Sequence, residues 1–125
     1  MYPITLHKKT NAAIISYRDI GLNVKNVIMS ANGINKVALE KEICPINNFS
    51  LLVLHSINDN LFNGFGRDNI DWVSKCSKCQ NSYLNLDNGC KKIKNCNREI
   101  VYCEGEESHN EWPKKNDTII DFLIR

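Results

Sequence analysis

The sequence predicts a small, mainly β protein, and three observations lead to that prediction. The chain has 125 residues, of which 42% are hydrophobic, and this is enough for one modest core. Residues 1–70 contain short runs rich in β-branched and aromatic side chains, separated by polar turn formers. These runs show no sustained helical period. The expected strands cover residues 4–7, 12–18, 24–30, 36–43 and 49–57.

A tight turn is expected at Asn32 and Gly33, between two of these runs. Both residue types tolerate the positive φ that a two-residue hairpin turn requires. Residues 24–30 and 36–43 are therefore expected to pair as antiparallel strands. Apolar and charged residues alternate along 36–43, which is typical of a sheet with one face in water.

The remaining pattern divides the chain into two halves. Residues 58–69 are dense in turn formers and predict a boundary. Residues 118–124 alternate and predict a last strand that returns to the sheet, or else a short helix capped by Asn116 or Asp117. The expected architecture is an antiparallel sheet or small barrel over residues 1–72, completed by that last strand.

The cysteines of the second half predict an inserted, metal-stapled hairpin module over residues 73–112. Cys76 and Cys79 are separated by two residues, so both thiolates can reach one zinc ion at the bond length of ~2.3 Å. Further possible ligands follow closely in the chain, and they are Cys90, Cys96, Cys103 and His109. A structural Zn²⁺ site needs four ligands in tetrahedral geometry.

A zinc-ribbon-like hairpin is the expected frame for this site. Residues 83–86 and 100–102 look like the two arms, which would bring a second pair of ligands back to the first. Standard ribbons use two Cys-x-x-Cys pairs, and the second pair here is spread more widely. The expected ligands are Cys76, Cys79, Cys96 and Cys103, with Cys90 and His109 as alternates.

The expected compartment follows from the N-terminus and decides how the cysteines are interpreted. The N-terminal residues lack the apolar run of ~7 to 15 residues that a signal peptide needs. No stretch reaches the ~20 apolar residues that span a bilayer. An intracellular protein, in cytoplasm or nucleus, is therefore expected, and thiols there stay free or bind metal.

Two other states of the cysteines remain open. Their number is six, which is even and allows complete pairing as disulfides in an extracellular domain. The second possibility is that the cysteines are free, buried thiols, since cysteine is among the most buried residue types. Cys44 lies at the end of an apolar run and before Pro45, so it is expected to be a buried packing thiol.

The sequence predicts a binding protein that is not an enzyme. It contains no phosphate loop, metalloprotease motif or nucleophile elbow. The 16 Lys and Arg nearly balance the 14 Asp and Glu, so an electrostatic interaction must depend on a local cluster. Such a basic cluster lies in the cysteine-rich half, and its members are Lys78, Lys91, Lys92, Lys94 and Arg98.

The leading hypothesis is a zinc-stabilised protein that contacts nucleic acid, or a protein within a nucleic-acid-handling complex, through this basic cluster. One alternative is a structural or host-interaction protein in which zinc only stabilises the fold and the partner is a protein. A further alternative is a disulfide-bonded extracellular domain. Neither a membrane nor a small-molecule substrate is expected as a partner.

Overall fold

The described residues form one mixed sheet of six strands. The computed structural model describes residues 2–7, 24–30, 35–44, 49–80, 82–109 and 115–124. The strands are β1 (Tyr2–His7), β2 (Val24–Ser30), β3 (Ser50–Ser56), β4 (Tyr83–Asn85), β5 (Lys91–Ile93) and β6 (Ile100–Gly105). Their spatial order is β1-β2-β3-β6-β5-β4. The helices are α1 (Lys36–Leu39), α2 (Phe65–Cys76) and α3 (Asn116–Leu123).

Four of the strands run parallel, and β3 lies in the middle of them. β2 pairs with β1 and β3, and β3 pairs with β6, all in parallel register. A parallel strand that is covered on both faces reads as a continuous apolar run. β3 has this character, because Leu51, Leu52, Val53 and Leu54 follow one another and are all buried.

The two faces of the sheet bury separate hydrophobic clusters, because successive side chains of a strand point to opposite sides. α1 and α2 cover one face, where the cluster consists of Val27, Met29, Leu39, Phe49, Leu51, Val53, Ile70, Trp72, Val73 and Ile100. α3 covers the other face, where the cluster consists of Ile28, Leu52, Leu54, Cys90, Val101, Cys103 and Phe122. The buried Asn26 amide also donates to the main-chain oxygen of Phe122 at 3.1 Å and fixes α3 to β2.

The chain between α2 and β6 forms an antiparallel hairpin that widens the sheet. β4 pairs with β5, and β5 pairs with the outer side of β6. Gly89 has a φ of 83° in the turn between β4 and β5, a conformation that favours glycine. β4 is consequently one edge of the sheet.

The prediction of a small, sheet-based, mainly β protein is confirmed at that level, whereas the expected antiparallel pairing is wrong. Parallel neighbours need long crossovers rather than tight turns, and residues 36–39 of the expected strand form α1 within the crossover from β2 to β3. The reason is local, because the Asn35 side chain accepts a hydrogen bond from the Ala38 amide at 3.0 Å and caps the helix. The turn at Asn32 and Gly33 lies outside the described residues, as does the strand 12–18.

Two further elements differ from expectation. Residues 118–124 belong mostly to α3 rather than to a strand, and the residue at its N-cap is Lys115, without a side-chain cap. The turn-rich stretch 58–69 passes into α2 at Phe65. β5 lies between the two expected arms of the zinc ribbon, so these arms are not direct neighbours. A division of the chain near residue 72 stays a prediction, and strands of both halves share one sheet.

Candidate functional site

The predicted zinc site is wrong, because all six cysteines form disulfides. The pairs are Cys44–Cys76, Cys79–Cys96 and Cys90–Cys103. No free cysteine remains, and a sulfur in a disulfide is not the thiolate that zinc requires. The described ranges also hold no group of three or more His, Cys, Asp or Glu that is suited to a metal ion.

The disulfides also correct the expected compartment. Disulfides form and persist in oxidising environments and are rare in cytosol and nucleus, where thiols are kept reduced. Three of them in one small chain point to an oxidising, extracellular environment instead. No helix in the described parts of the chain has the length and apolar character needed to cross a membrane.

Each disulfide joins a connecting segment to a regular element or to another connection. Cys44, expected as a buried packing thiol, is exposed and bonds to Cys76 at the end of α2. Cys79–Cys96 joins the segment after α2 to the connection between β5 and β6. Cys90–Cys103 fastens the start of the β5 arm to β6 inside the second hydrophobic cluster. The bonds therefore tie α2 to the segment after α1 and hold the hairpin at both of its ends.

A buried polar cluster lies beyond the carboxyl end of β3. Its members are His55, Asp59 and His109, whose residue exposures are 2%, 2% and 6%. His109 Nδ1 is 2.8 Å from Asp59 Oδ2, and His55 Nε2 is 3.5 Å from the same oxygen. Asp59 Oδ1 accepts hydrogen bonds from the main-chain amides of Leu61 at 3.1 Å and Phe62 at 2.8 Å. Both carboxylate oxygens are thus occupied.

The hydrogen bonds stabilise the charged form of Asp59. Burial alone would raise its pKa, since a carboxylate loses hydration on burial. The hydrogen bonds from His109 and from the amides of Phe62 and Leu61 outweigh burial, and the pKa of Asp59 lies below its ordinary value. The charged Asp59 carboxylate, which accepts hydrogen bonds from several donors, therefore stabilises the folded state.

His55, the second histidine near this carboxylate, is fixed by contacts with the main chain. His55 Nε2 is 2.9 Å from the Phe62 carbonyl oxygen and donates to it. The ring lies against α2 at Gly66, where an added Cβ would be only 2.6 Å from His55 Cγ. Glycine is required at that position because the helix and the imidazole approach so closely.

The cluster has the His–Asp pair of an acid–base site, but its neighbouring hydroxyl is used elsewhere. A nucleophile must lie within hydrogen-bond reach of its base. Ser56 Oγ instead donates to the main-chain oxygens of Gly105, at 3.2 Å, and Glu107. It also accepts from the Asn58 amide at 3.2 Å. These bonds join the end of β3 to the end of β6 and to the segment that follows it, so Ser56 has a structural role beside the cluster.

A second set of polar residues lines a groove between α2 and the hairpin, which we call the hairpin groove. Its volume is about 440 Å³, and its lining residues are Arg67, Ile70, Asp71, Tyr83, Gly89, Lys91, Tyr102 and Glu104. Lys91 Nζ lies 4.4 Å from the centre of the Tyr83 ring, within cation–π range. The groove thus presents aromatic walls with charges of both signs.

An ion pair fixes one wall of the hairpin groove. Glu104 Oε1 accepts from Arg67 Nε at 2.7 Å and from the Tyr102 hydroxyl at 3.0 Å. Burial would raise the pKa of Glu104, but the hydrogen bonds from Arg67 and Tyr102 prevail and lower it. The pKa of Tyr102 is raised, first by burial and then by the adjacent Glu104 charge. The tyrosine hydroxyl therefore stays a hydrogen-bond donor.

The predicted basic cluster is spread over several environments. Lys91 and Lys92 are consecutive on β5 and point to opposite faces; Lys92 Nζ is 3.9 Å from Glu99. Lys94 is exposed directly after β5, and Lys78 lies in a turn after α2 with a φ of 54°. Arg98 is half-buried over the Phe49 ring, and burial lowers its pKa. Nucleic-acid contact by these residues stays a prediction.

The polar cluster contains residues that sequence reasoning missed. His109 was expected as an alternate metal ligand, whereas it is a hydrogen-bond partner of Asp59. Residues 49–57 read as one strand, so His55 and Ser56 were not recognised as polar residues placed at a strand end. The available signal was the change from four apolar residues to His-Ser directly before a turn-rich stretch. Similarity offers no further guide, since no known family model and no curated protein matches the chain significantly.

We predict that Gly66→Ala destabilises the protein although it improves helix propensity. Replacing glycine by alanine inside a helix gains about 1 kcal/mol. Here the new Cβ overlaps the buried His55 side chain, so the free energy of unfolding should fall instead. Asp71→Ala is the matched control, because Asp71 is an exposed residue of the same helix. Urea unfolding that shows equal stabilisation by both substitutions would contradict the close approach.

We predict that the stability difference between the wild type and Asp59→Asn depends on pH. The pKa of Asp59 is lowered in the folded state, so its charge stabilises the fold fully above the ordinary value of ~3.9. This contribution is lost as the pH falls through the lowered folded-state pKa. Urea unfolding from about pH 7 to about pH 2 should therefore show the difference shrinking at acid pH.

Asp87→Asn is the control for this experiment, since Asp87 is exposed in the turn after β4. Its small effect should show no comparable loss at acid pH. A pH-independent difference for Asp59→Asn would mean that the carboxylate charge does not stabilise the fold.

Proposed function

We propose that this chain is a disulfide-bonded extracellular domain that binds a protein partner and is not an enzyme. The observation that carries the proposal is the pairing of all six cysteines. Such pairing needs an oxidising compartment, and small extracellular domains commonly use it to stabilise a limited core. This is the disulfide-bonded alternative of the sequence interpretation, combined with the protein partner of the other alternative but not with its zinc.

The positions of the disulfides support this proposal. α1 has four residues and α3 has eight, so neither helix is long enough to be stable by itself. The segment after α1 is tied to α2 by Cys44–Cys76, and the hairpin is tied at both ends by the other two bonds. Cross-links of this kind stabilise a domain by restricting its unfolded chain.

A binding role is favoured over catalysis by the distribution of polar and apolar groups. The His–Asp cluster is buried, and the nearest hydroxyl, of Ser56, is engaged with main-chain oxygens. The hairpin instead exposes Tyr83 and Leu84, each with 52% of its surface accessible. Exposed aromatic and aliphatic side chains next to a groove are typical of protein interaction sites.

We predict that the three disulfides are reduced in the order of their exposure. Cys44 is exposed, Cys79 and Cys96 are partly buried, and Cys90 and Cys103 have exposures of 0% and 1%. Access of the attacking thiolate controls the rate of exchange. Under mild native reduction, alkylation and peptide mass mapping should therefore detect Cys44 and Cys76 first and Cys90 and Cys103 last.

The same mapping tests the proposed compartment. Unreduced protein that has been exported into an oxidising compartment should take up no alkylating reagent after denaturation. Fully reduced and denatured protein should take up six groups. Six free thiols in folded protein, with about one bound zinc per chain, would overturn the proposal.

We predict that the oxidised domain retains a protein partner from the extracellular fluid of its source. The immobilised domain should capture one stable partner after nuclease treatment, because the proposed contacts are made with protein. The same domain after full reduction and alkylation is the control, and it should lose the partner as the hairpin is released. Retention that disappears on nuclease treatment would point to nucleic acid and against a protein partner.

A further inference from the structure

The outer edge of the hairpin has main-chain groups that can pair with another strand. β4 is the last strand of the sheet and pairs only with β5 among the described residues. The amide of Lys94 donates to the oxygen of Ser82 at 3.0 Å, and the amide of Leu86 donates to the oxygen of Cys90 at 2.8 Å. Because antiparallel residues alternate, the main-chain groups of Tyr83 and Asn85 point away from β5.

This edge is only three residues long, which limits strand addition, but it lacks the other usual protections against it. Natural edge strands are blunted by charged side chains, proline or bulges. β4 consists of tyrosine, leucine and asparagine, and all three are exposed. Within the described ranges no element covers its outer side. The edge is therefore open to an extended segment that would continue the sheet.

The side chains around the edge select the kind of segment. Tyr83 shares a face of the sheet with Lys91 and Tyr102, and this face lines the hairpin groove. Leu84 lies on the opposite face and is exposed by 52%. An added strand would consequently place alternate side chains near the Lys91 ammonium on one face and beside Leu84, the cross-strand partner of Lys92, on the other. Acidic residues on one face and apolar residues on the other are complementary to it.

Charge favours such a segment over a second copy of this chain. Residues 82–94 carry three lysines and one aspartate, so two hairpins brought edge to edge would repel each other. The same lysines attract an acidic strand, and Lys91 remains half-exposed while it rests on the Tyr83 ring. Electrostatic complementarity of this kind selects partners and raises the rate of association.

We propose that β4 binds an extended, acidic segment of the protein partner by strand addition, with the acidic side chains directed towards Lys91 beside the Tyr83 ring. Main-chain hydrogen bonds from Tyr83 and Asn85 provide the pairing, and Lys91 provides the preference for carboxylates. This inference rests on the proposed function and names the surface and chemistry of its partner. Strand addition to a free edge is an established mode of peptide recognition.

The test uses the oxidised domain and the octapeptide acetyl-Thr-Val-Glu-Val-Glu-Val-Glu-Thr-amide. Its glutamates and valines fall on opposite faces when it is extended. Isotope-edited NMR should show peptide-dependent protection from hydrogen exchange at the amides of Tyr83 and Asn85. The Leu84 amide, which faces β5, should change little. Protection that alternates in this way is specific for pairing at the outer edge.

Two matched peptides test the recognition of charge and main chain. The counterpart with lysine in place of glutamate should bind about tenfold more weakly or not at all. N-methylation of alternate peptide amides should abolish binding when the methyls face β4 and preserve it when they face outwards. Equal binding of both N-methylated forms would overturn strand addition.

Matched variants of the domain test the role of the lysine. Lys91→Glu should weaken binding of the acidic octapeptide about tenfold and improve binding of the lysine counterpart. Lys41→Glu changes the net charge equally at an exposed residue outside the hairpin and should leave both affinities nearly unchanged. Equal losses in the two variants would mean that only net charge matters and would overturn the assignment to Lys91.

The outcomes separate this inference from the proposed function. No protection at Tyr83 and Asn85 with the acidic octapeptide, in protein whose disulfides are intact and which retains its partner, overturns the inference alone. Concentration-dependent protection of both amides without peptide would identify a second copy as the occupant and overturn it as well. Free thiols with bound zinc would overturn the proposed function, whatever the peptide result.

Discussion

The parallel pairing of β3 with β2 and β6 is the constraint on which the rest of the structure depends. A strand with parallel neighbours on both sides and apolar residues on both faces must be covered on both faces. α1 and α2 cover one side and α3 covers the other. Parallel order also brings the carboxyl ends of β3 and β6 to the same edge, and the chain leaves both ends through polar turns. The buried polar cluster is a direct result.

The disulfides stabilise the connections between the parallel strands. Parallel strands require long crossovers, and α1, the described helix between β2 and β3, has only four residues. Cys44–Cys76 ties one crossover to the next, at the end of α2. Cys90–Cys103 is a covalent link between the hairpin and β6, and both of its cysteines are buried in the second hydrophobic cluster. The sheet thus gains its lateral stability from packing at β3 and from cross-links at the hairpin.

Part of this fold could be predicted from the sequence, because strand formation leaves a local signal. The apolar runs at β2 and β3 and the alternation of apolar and polar residues are properties of neighbouring residues. Strand direction is different, since it depends on which strands pair across the chain. The run 36–43 shows the limit, because its alternation resembles a strand while the Asn35 cap starts a helix there. The strand predicted over residues 118–124 is wrong for the same reason, because these residues alternate like a strand but form most of α3.

The cysteines show why the site was harder to predict than the fold. Cys76 and Cys79 have the spacing of a zinc knuckle, but each bonds to a cysteine distant in sequence. Spacing alone does not distinguish a metal site from two disulfides that begin in one turn, since both need sulfur atoms close together. The decisive partner was Cys44, which lies outside the cysteine-rich half and seemed a packing residue. Long-range pairing, which no local pattern encodes, determined the chemistry.

The location of the proposed binding surface follows from the same topology. Ligands of open α/β sheets usually bind in the crevice outside the carboxyl ends of the strands. In this protein Asp59, His109 and Ser56 lie at that position, and their hydrogen bonds join the ends of β3 and β6 and the loops that follow them. The antiparallel hairpin widens the sheet at its other side, and β4 forms the outer edge there. The proposed recognition therefore uses β4, where exposed side chains and outward-facing main-chain groups lie together.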